Sequence, residues 1–330
     1  MGLWYRTVKR ITHVRWTIWV KYFSNGEGSW LFNDTRKWFS ILTLFVVPLY
    51  LAFFASRRLP SSSFAVNDRK YRILIELSAL PTFAFGFLGS PLNFYPPDID
   101  AVSGPQKLII VMYLTHYIHR ALVSPPRISP SSTPKNHPAV VFYGVLFNIT
   151  NGFLLGTFIA SPFGKATLQH FTLKFILGFT LWAVGFQWKT AHEKILVDIE
   201  TRAATGGKDR DEKNASTDAT TSIPHGHLFK YVSFPDYFCE LVQWLGFAIA
   251  TAPLPLPQTS LISALNPVTL ISDLRKPSYL FAPNLSPPYI LLFAELAWTA
   301  FRAQKGHRLY KEKFGAKYPE ERKALIPFVL

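Results

Sequence analysis

Seven stretches in which apolar side chains run almost unbroken divide the chain, at 39–56, 73–89, 108–123, 139–160, 167–188, 237–256 and 289–301. Most approach the roughly 17–25 residues that a helix needs to cross a hydrocarbon core. The pattern predicts an all-α membrane protein, a bundle of about seven transmembrane helices forming one domain over residues 39–330. Residues 1–38 are basic and aromatic and contain no separate apolar core of a signal sequence, so they are expected at the membrane surface. Residues 198–222 are polar, mixed in charge and nearly free of large apolar side chains, which predicts a disordered cytosolic insertion. The Pro-rich, half-apolar stretch before the last span is expected to pack against the helices on the lumenal side.

Composition supports a chain whose solvent is partly lipid, since 49% of the 330 residues are hydrophobic and 16% aromatic. The formal charge of +15 does not form one basic face of the kind that binds nucleic acid. It falls between the spans. With Arg120 counted at the end of its span, 23 Lys and Arg follow spans one, three, five and seven, against 11 on the opposite side. That excess places the C-terminus in the cytosol. The single cysteine, Cys239, rules out an internal disulfide.

Charged and polar residues inside the spans are the candidates for chemistry. Glu76 lies in the run "YRILIELSALPTFAFGF", where a carboxylate costs about 2.5–3.5 kcal/mol at a helix centre, so it should face a cavity or a partner. Pairing with Arg72 one turn away is the plain alternative. A buried Glu76 should hold its proton and donate a hydrogen bond to a ligand oxygen. The third span ends "THYIHRALVSPPR", which puts Tyr117 and Arg120 on one helical face and His116 and His119 on another. Two histidines at that spacing, with no evident third ligand, make a poor metal site. Asn148 and Asn151 in span four are suited either to bridging helices or to touching a ligand.

The stretch "SIPHGHLFKYVSFPDYFCELVQWLGFAIAT" begins with a turn and reads as a helix capped by Ser233 with Asp236 three later. Asp236, Glu240 and Trp244 then recur every four residues on one face. In the C-terminal tail, Arg302, His307, Tyr310 and Arg322 mix cations with aromatics, which suits a phosphate-rich ligand or anionic headgroups. No GxGxxG follows a strand and no GxxxxGK(S/T) occurs, so neither common nucleotide fold is indicated.

Taken in order, "ELSALPTFA", "HYIHR", "TNGFLLG", the 222–251 block and "RAQKGHRLYKEKFGAKYPEERKALIPF" resemble the steroid 5-alpha-reductase family over roughly residues 70–330. The resemblance implies a seven-helix bundle of the endoplasmic reticulum that uses NADPH from the cytosol to reduce the carbon–carbon double bond of a lipophilic enone. It implies that Glu76 and Tyr117 hold the substrate carbonyl and that Trp244 walls the reacting groups. Arg120, Asn151, Glu193, Asp236, Glu240, Arg302, His307, Tyr310 and Arg322 match positions of cofactor contacts. The chain departs from the family pattern where Thr221 and Ser222 replace a tyrosine and a basic residue. Asp236 replaces an asparagine, Glu193 an aspartate, and Gly306 one of a histidine pair. Two other readings stand beside this one, a trans-2-enoyl-CoA reductase and a non-catalytic sterol- or lipid-binding membrane protein.

Overall fold

The computed structural model describes residues 27–43, 68–93, 100–124, 138–206, 223–254, 272, 274–282 and 285–330. The first 26 residues, most of the polar insertion, and Thr221 and Ser222 therefore lie outside the described residues. Nine α-helices carry the described architecture: α1 (Glu27–Ile41), α2 (Asp68–Leu77), α3 (Ala79–Gly89), α4 (Gly104–Ile118), α5 (Pro138–Ala160), α6 (Pro162–Thr167), α7 (Leu173–Gly206), α8 (Pro235–Thr251) and α9 (Pro287–Phe314). Among the described residues no strand forms, and one isolated bridge joins Val232 to Lys323. Among the described residues two stretches, Tyr71–Gly89 and Val141–Ala160, are long and apolar enough to cross a membrane. The remaining predicted spans either coincide with helices that do not meet that standard alone or extend outside the described residues.

The second apolar stretch is two helices. Pro81 has no N–H for the carbonyl of Leu77, and the chain breaks at Ser78, whose hydroxyl donates to Ile75 O at 2.6 Å. Glu76 thus sits just before a kink. The third stretch starts with a complete capping box between Ser103 and Gln106 and ends in a single π-helical turn, His119–Val123, that carries Arg120.

Glycines let two helix pairs approach closely. A Cβ on Gly156 would lie 2.2 Å from Phe83 O, and one on Gly152 would lie 2.4 Å from Ala79 O, which locks α5 on α3. Gly246 plays the same part between α8 and α7, where a Cβ would lie 2.4 Å from Trp182 N. In lipid, where apolar burial does not drive helix association, such backbone proximity is what packs a bundle. Phe83, Tyr113, Leu154, Trp244 and Phe247 fill the resulting core.

Two expectations change. The helix α7 is described to Gly206, nine residues into the segment read as disordered from 198, because "DIETRAA" has good helix formers. The start of α8 is not capped by Ser233. Phe234 occupies the N-cap position with no side-chain bond, and Pro235 supplies the first turn. The Ser233 hydroxyl instead hydrogen-bonds with His307 Nδ1 and Tyr318 OH, each at 2.6 Å, tying α8 to the tail.

Of the stretch before α9, residues 274–282 are described and are held by α1. Arg36 donates to Ala282 O and Phe281 O, both at 2.8 Å, and Lys37 to Leu274 O at 2.8 Å and Lys276 O at 2.9 Å. Both cations are buried.

Candidate active site

The break in the second stretch, the π-turn after α4 and the buried face of α8 meet at one guanidinium. Arg120 donates from Nε and Nη2 to Glu76 Oε1, each at 2.8 Å, and its Nη1 pairs with Glu240 Oε1. Both acids are about nineteen-twentieths buried, at 5% and 3% exposure. The pairing with Arg72 does not form; the partner that an acid in an apolar run requires is Arg120. The Glu76 Oε1 is occupied, while no hydrogen bond to Oε2 is formed among the described residues.

Tyr117 lies beside this hub, 2% exposed. Its hydroxyl accepts from Asn151 Nδ2 at 2.9 Å and lies 3.4 Å from Asn148 Oδ1, a long bond that is easily exchanged for a better acceptor. Asn148 in turn donates to Ile75 O at 2.7 Å. The two asparagines therefore bridge α5 to α2 and α4, and they aim the phenol at the same time. Trp244 closes the other side, with its ring 4.4 Å from His116 and 6.2 Å from Tyr117.

Towards the tail, Lys189 pairs with Glu193 at 3.0 Å. Burial pushes the Glu193 carboxyl up, but Lys189 more than offsets this and holds its pKa below the ordinary range. Asp236, in the first turn of α8 ahead of the apolar stretch from Tyr237, is pushed up to about 6 by burial and then by Glu193 and Glu240. Arg302 lies over the Tyr237 ring at 5.3 Å, and Tyr310 stacks on Phe234 at 5.6 Å. His307, held by Ser233, is shifted down by burial and by Lys311, Arg322 and Lys323.

The predicted residues thus fall into two groups. Glu76, Tyr117, Arg120, Asn151, Glu240 and Trp244 come together in the core, with Glu193, Asp236 and Arg302 leading away from them. His307, Tyr310 and Arg322 gather around Tyr318 in the tail. Gly306 has a structural reason: a Cβ there would lie 2.2 Å from Phe234 Cζ, so the ring that Tyr310 stacks on occupies the space a histidine would need.

Three site residues escaped the sequence reading. His116, weighed only as a metal ligand, has Nε2 3.7 Å from Glu240 Oε1. Gln243 is fully buried beside His116, neither of its amide atoms makes a hydrogen bond of ordinary geometry among the described residues, and Trp244 Nε1 and Asp236 Oδ1 are likewise unmatched. Buried polar atoms left unpaired are rare, so these are candidates for contact with a polar ligand. Glu295, a charge within the last span, lies within electrostatic reach of Glu240, Arg120 and Glu76, and its carboxylate makes no hydrogen bond or ion pair among the described residues. The signal was the one that flagged Glu76, an acid in an apolar run.

The family model for 3-oxo-5-alpha-steroid 4-dehydrogenase matches residues 136–266 and 278–330. A protein of Schizosaccharomyces pombe, uncharacterised, is 31% identical over 277 residues, covering 80% of this chain and 85% of its own. Rat 3-oxo-5-alpha-steroid 4-dehydrogenase 1 is 29% identical over 258 residues, covering 77% of this chain and 78% of its own. Arabidopsis thaliana steroid 5-alpha-reductase DET2 is 26% identical over 262 residues, 76% and 81% of the two chains. The matched segments carry Asn148 and Asn151, all of α8 with Glu240 and Trp244, and the tail through Arg322; with them, this chain belongs to the 3-oxo-5-alpha-steroid 4-dehydrogenase family.

Proposed function

We propose that the protein reduces the carbon–carbon double bond of a lipophilic α,β-unsaturated ketone, most simply a 3-oxo-4-ene steroid, with NADPH as reductant. The observation that carries this reading is the juxtaposition of Glu76 and Tyr117 in an apolar core, each with one hydrogen-bonding position open or weakly used. In conjugate reduction, negative charge develops on the carbonyl oxygen. Glu76 stays paired with Arg120 through Oε1 and, carrying a proton on Oε2 once the enone is bound, donates from Oε2–H to the carbonyl oxygen. The Tyr117 hydroxyl exchanges its 3.4 Å contact with Asn148 for the carbonyl. Preorganised donors of this kind contribute about 2.7–4 kcal/mol each to the transition state.

The residues present also fit the reductant. Gln243, Trp244 and Asp236 offer unmatched buried polar atoms beside the hub, and Arg302 adds a cation at its tail end. NADPH supplies the hydride when bound. Arg120, Asn151, Glu193, Asp236, Glu240, Arg302, His307, Tyr310 and Arg322 are the residues proposed to hold it. Glu240 anchors Arg120 so that the guanidinium keeps Glu76 in place, and Trp244 excludes water from the reacting face. We place the protein in the endoplasmic reticulum bilayer with its C-terminus and cofactor residues in the cytosol, as the charge asymmetry indicates.

The test is an assay of purified protein with NADPH and a 3-oxo-4-ene steroid, run beside a trans-2-enoyl-CoA. Glu76→Leu and Tyr117→Phe are expected to lower kcat by about 100-fold or more on the steroid. Steroid reduction at the wild-type rate by Glu76→Leu excludes the assigned role, and turnover of the enoyl-CoA alone supports the fatty-acid elongation reading.

A further inference from the structure

One buried hydroxyl in the core has no part in the site described so far. Tyr113 lies one turn before Tyr117 on α4, so the two side chains share a face of the helix and their rings meet at 4.6 Å. Phe83 of α3 stacks on the Tyr113 ring at 4.2 Å, and Phe247 of α8 lies at 6.4 Å. Packed in this way, the residue is 0% exposed.

The Tyr113 hydroxyl nevertheless makes no hydrogen bond of ordinary geometry among the described residues. A phenylalanine would fill the same space without the cost of stripping water from an O–H, so packing does not account for the hydroxyl. Gln106, on the same buried face, shows the usual solution, donating to Ile159 O at 3.0 Å. The ionisable groups that act on Tyr113 are Tyr117 and Glu76, the two side chains assigned to the carbonyl. The Tyr117 oxygen accepts one bond, from Asn151 Nδ2 at 2.9 Å, and directs its own proton to Asn148 Oδ1 at 3.4 Å. When Tyr117 turns that proton to a carbonyl oxygen on which charge grows, electron density shifts onto the phenol oxygen. A second donor to that oxygen then becomes more favourable than in the free protein.

We propose that Tyr113 is a positioning residue of the carbonyl site, whose hydroxyl donates to the Tyr117 oxygen when Tyr117 donates to a ligand ketone. With Asn151 it completes a pair of donors behind the phenol. The inference rests on the carbonyl role given to Tyr117 above. In the free protein the hydroxyl is unpaired, and the stability lost there is recovered when ligand binds.

The experiment compares wild type, Tyr113→Phe, Tyr117→Phe and the double variant, each as the full chain in detergent. Tyr113→Phe removes one oxygen and keeps the ring, so the packing against Phe83 is preserved. Without ligand its melting temperature is expected to rise by about 1–4 °C, since an unpaired buried hydroxyl has been deleted. A fall would show that the hydroxyl is already paired in the free protein and would overturn the inference. With a saturated 3-oxo steroid bound, isotope-labelled at the carbonyl carbon, infrared difference spectra should show the carbonyl stretch at higher frequency in Tyr113→Phe than in wild type. The shift should be larger in Tyr117→Phe and no larger still in the double variant, because Tyr113 acts through Tyr117. Additive shifts would mean that Tyr113 does not act through Tyr117, which overturns the relay. With a 3-oxo-4-ene steroid and NADPH, kcat should fall about tenfold in Tyr113→Phe with the steroid KM within about twofold of wild type. A stretch that Tyr117→Phe moves and Tyr113→Phe does not overturns this inference alone. One that neither variant moves overturns the carbonyl reading and this inference with it. If both variants move the stretch as expected while wild type reduces no enone, the Tyr113 relay stands and the reductase reading falls.

Discussion

Replacing Arg120 by methionine removes the guanidinium that two buried carboxylates share and leaves an apolar side chain of similar length between them. Glu76 and Glu240 are 5% and 3% exposed, so neither can turn to water. Breaking a buried pair by deleting one partner costs about 3–5 kcal/mol, because the stranded charge keeps its desolvation penalty. At about 2.1 cal/mol/K of unfolding entropy per residue, the 330-residue chain has roughly 0.7 kcal/mol/K, so the melting temperature should fall by about 4–7 °C. The assay is thermal unfolding in detergent, followed by intrinsic fluorescence, of Arg120→Met and of the triple variant Glu76→Gln, Arg120→Met, Glu240→Gln. The triple variant should recover most of the loss, since it removes the stranded charges with the cation. A fall under about 1 °C in Arg120→Met, or a triple variant no more stable than the single one, would refute the hub as a mutually dependent ion-pair cluster.

The remaining predictions concern neighbouring elements. Neutralising Glu295 by Glu295→Gln should raise the melting temperature at neutral pH by relieving a third carboxylate near one guanidinium, a gain on the order of 1–2 kcal/mol; a lowered melting temperature would instead show that Glu295 makes a needed contact. Because the Asp236 pKa is raised to about 6 in the folded state, its stabilising share is complete below the ordinary value of 3.8 and is lost as pH rises through 6. Asp236→Asn should therefore be more stable than wild type at about pH 8 by up to about 3 kcal/mol and indistinguishable near about pH 3.5, as read from denaturant or thermal melts. Gly306→Ala should cost about 1–3 kcal/mol by clashing with Phe234, and pairing it with Phe234→Ala should restore packing at that point, so a strictly additive double variant would count against the contact. Gly156→Leu meets the backbone carbonyl of Phe83, which cannot move aside, and is expected to abolish the folded bundle in a size-exclusion assay.

The sequence by itself determined that helices form and where most of them lie, because unbroken apolar runs, prolines at first turns and the Ser103 capping box act locally, within a few residues. It also identified Glu76, Tyr117, Arg120, Glu240 and Trp244 as out of place or in register, since a charge in an apolar run is costly whatever surrounds it. Only the tertiary structure decided what those residues do to one another. Arg120 reaches Glu76 across 44 residues and Glu240 across 120, pairings that no spacing rule along one helix contains. The same holds for Ser233, which local pattern made a helix cap. It became a tie to His307 and Tyr318, because a hydroxyl goes to the partner that folding brings within 2.6 Å. Close approach through Gly152, Gly156 and Gly246 sets those distances, and backbone contact between helices is a property of the packed bundle rather than of any single segment.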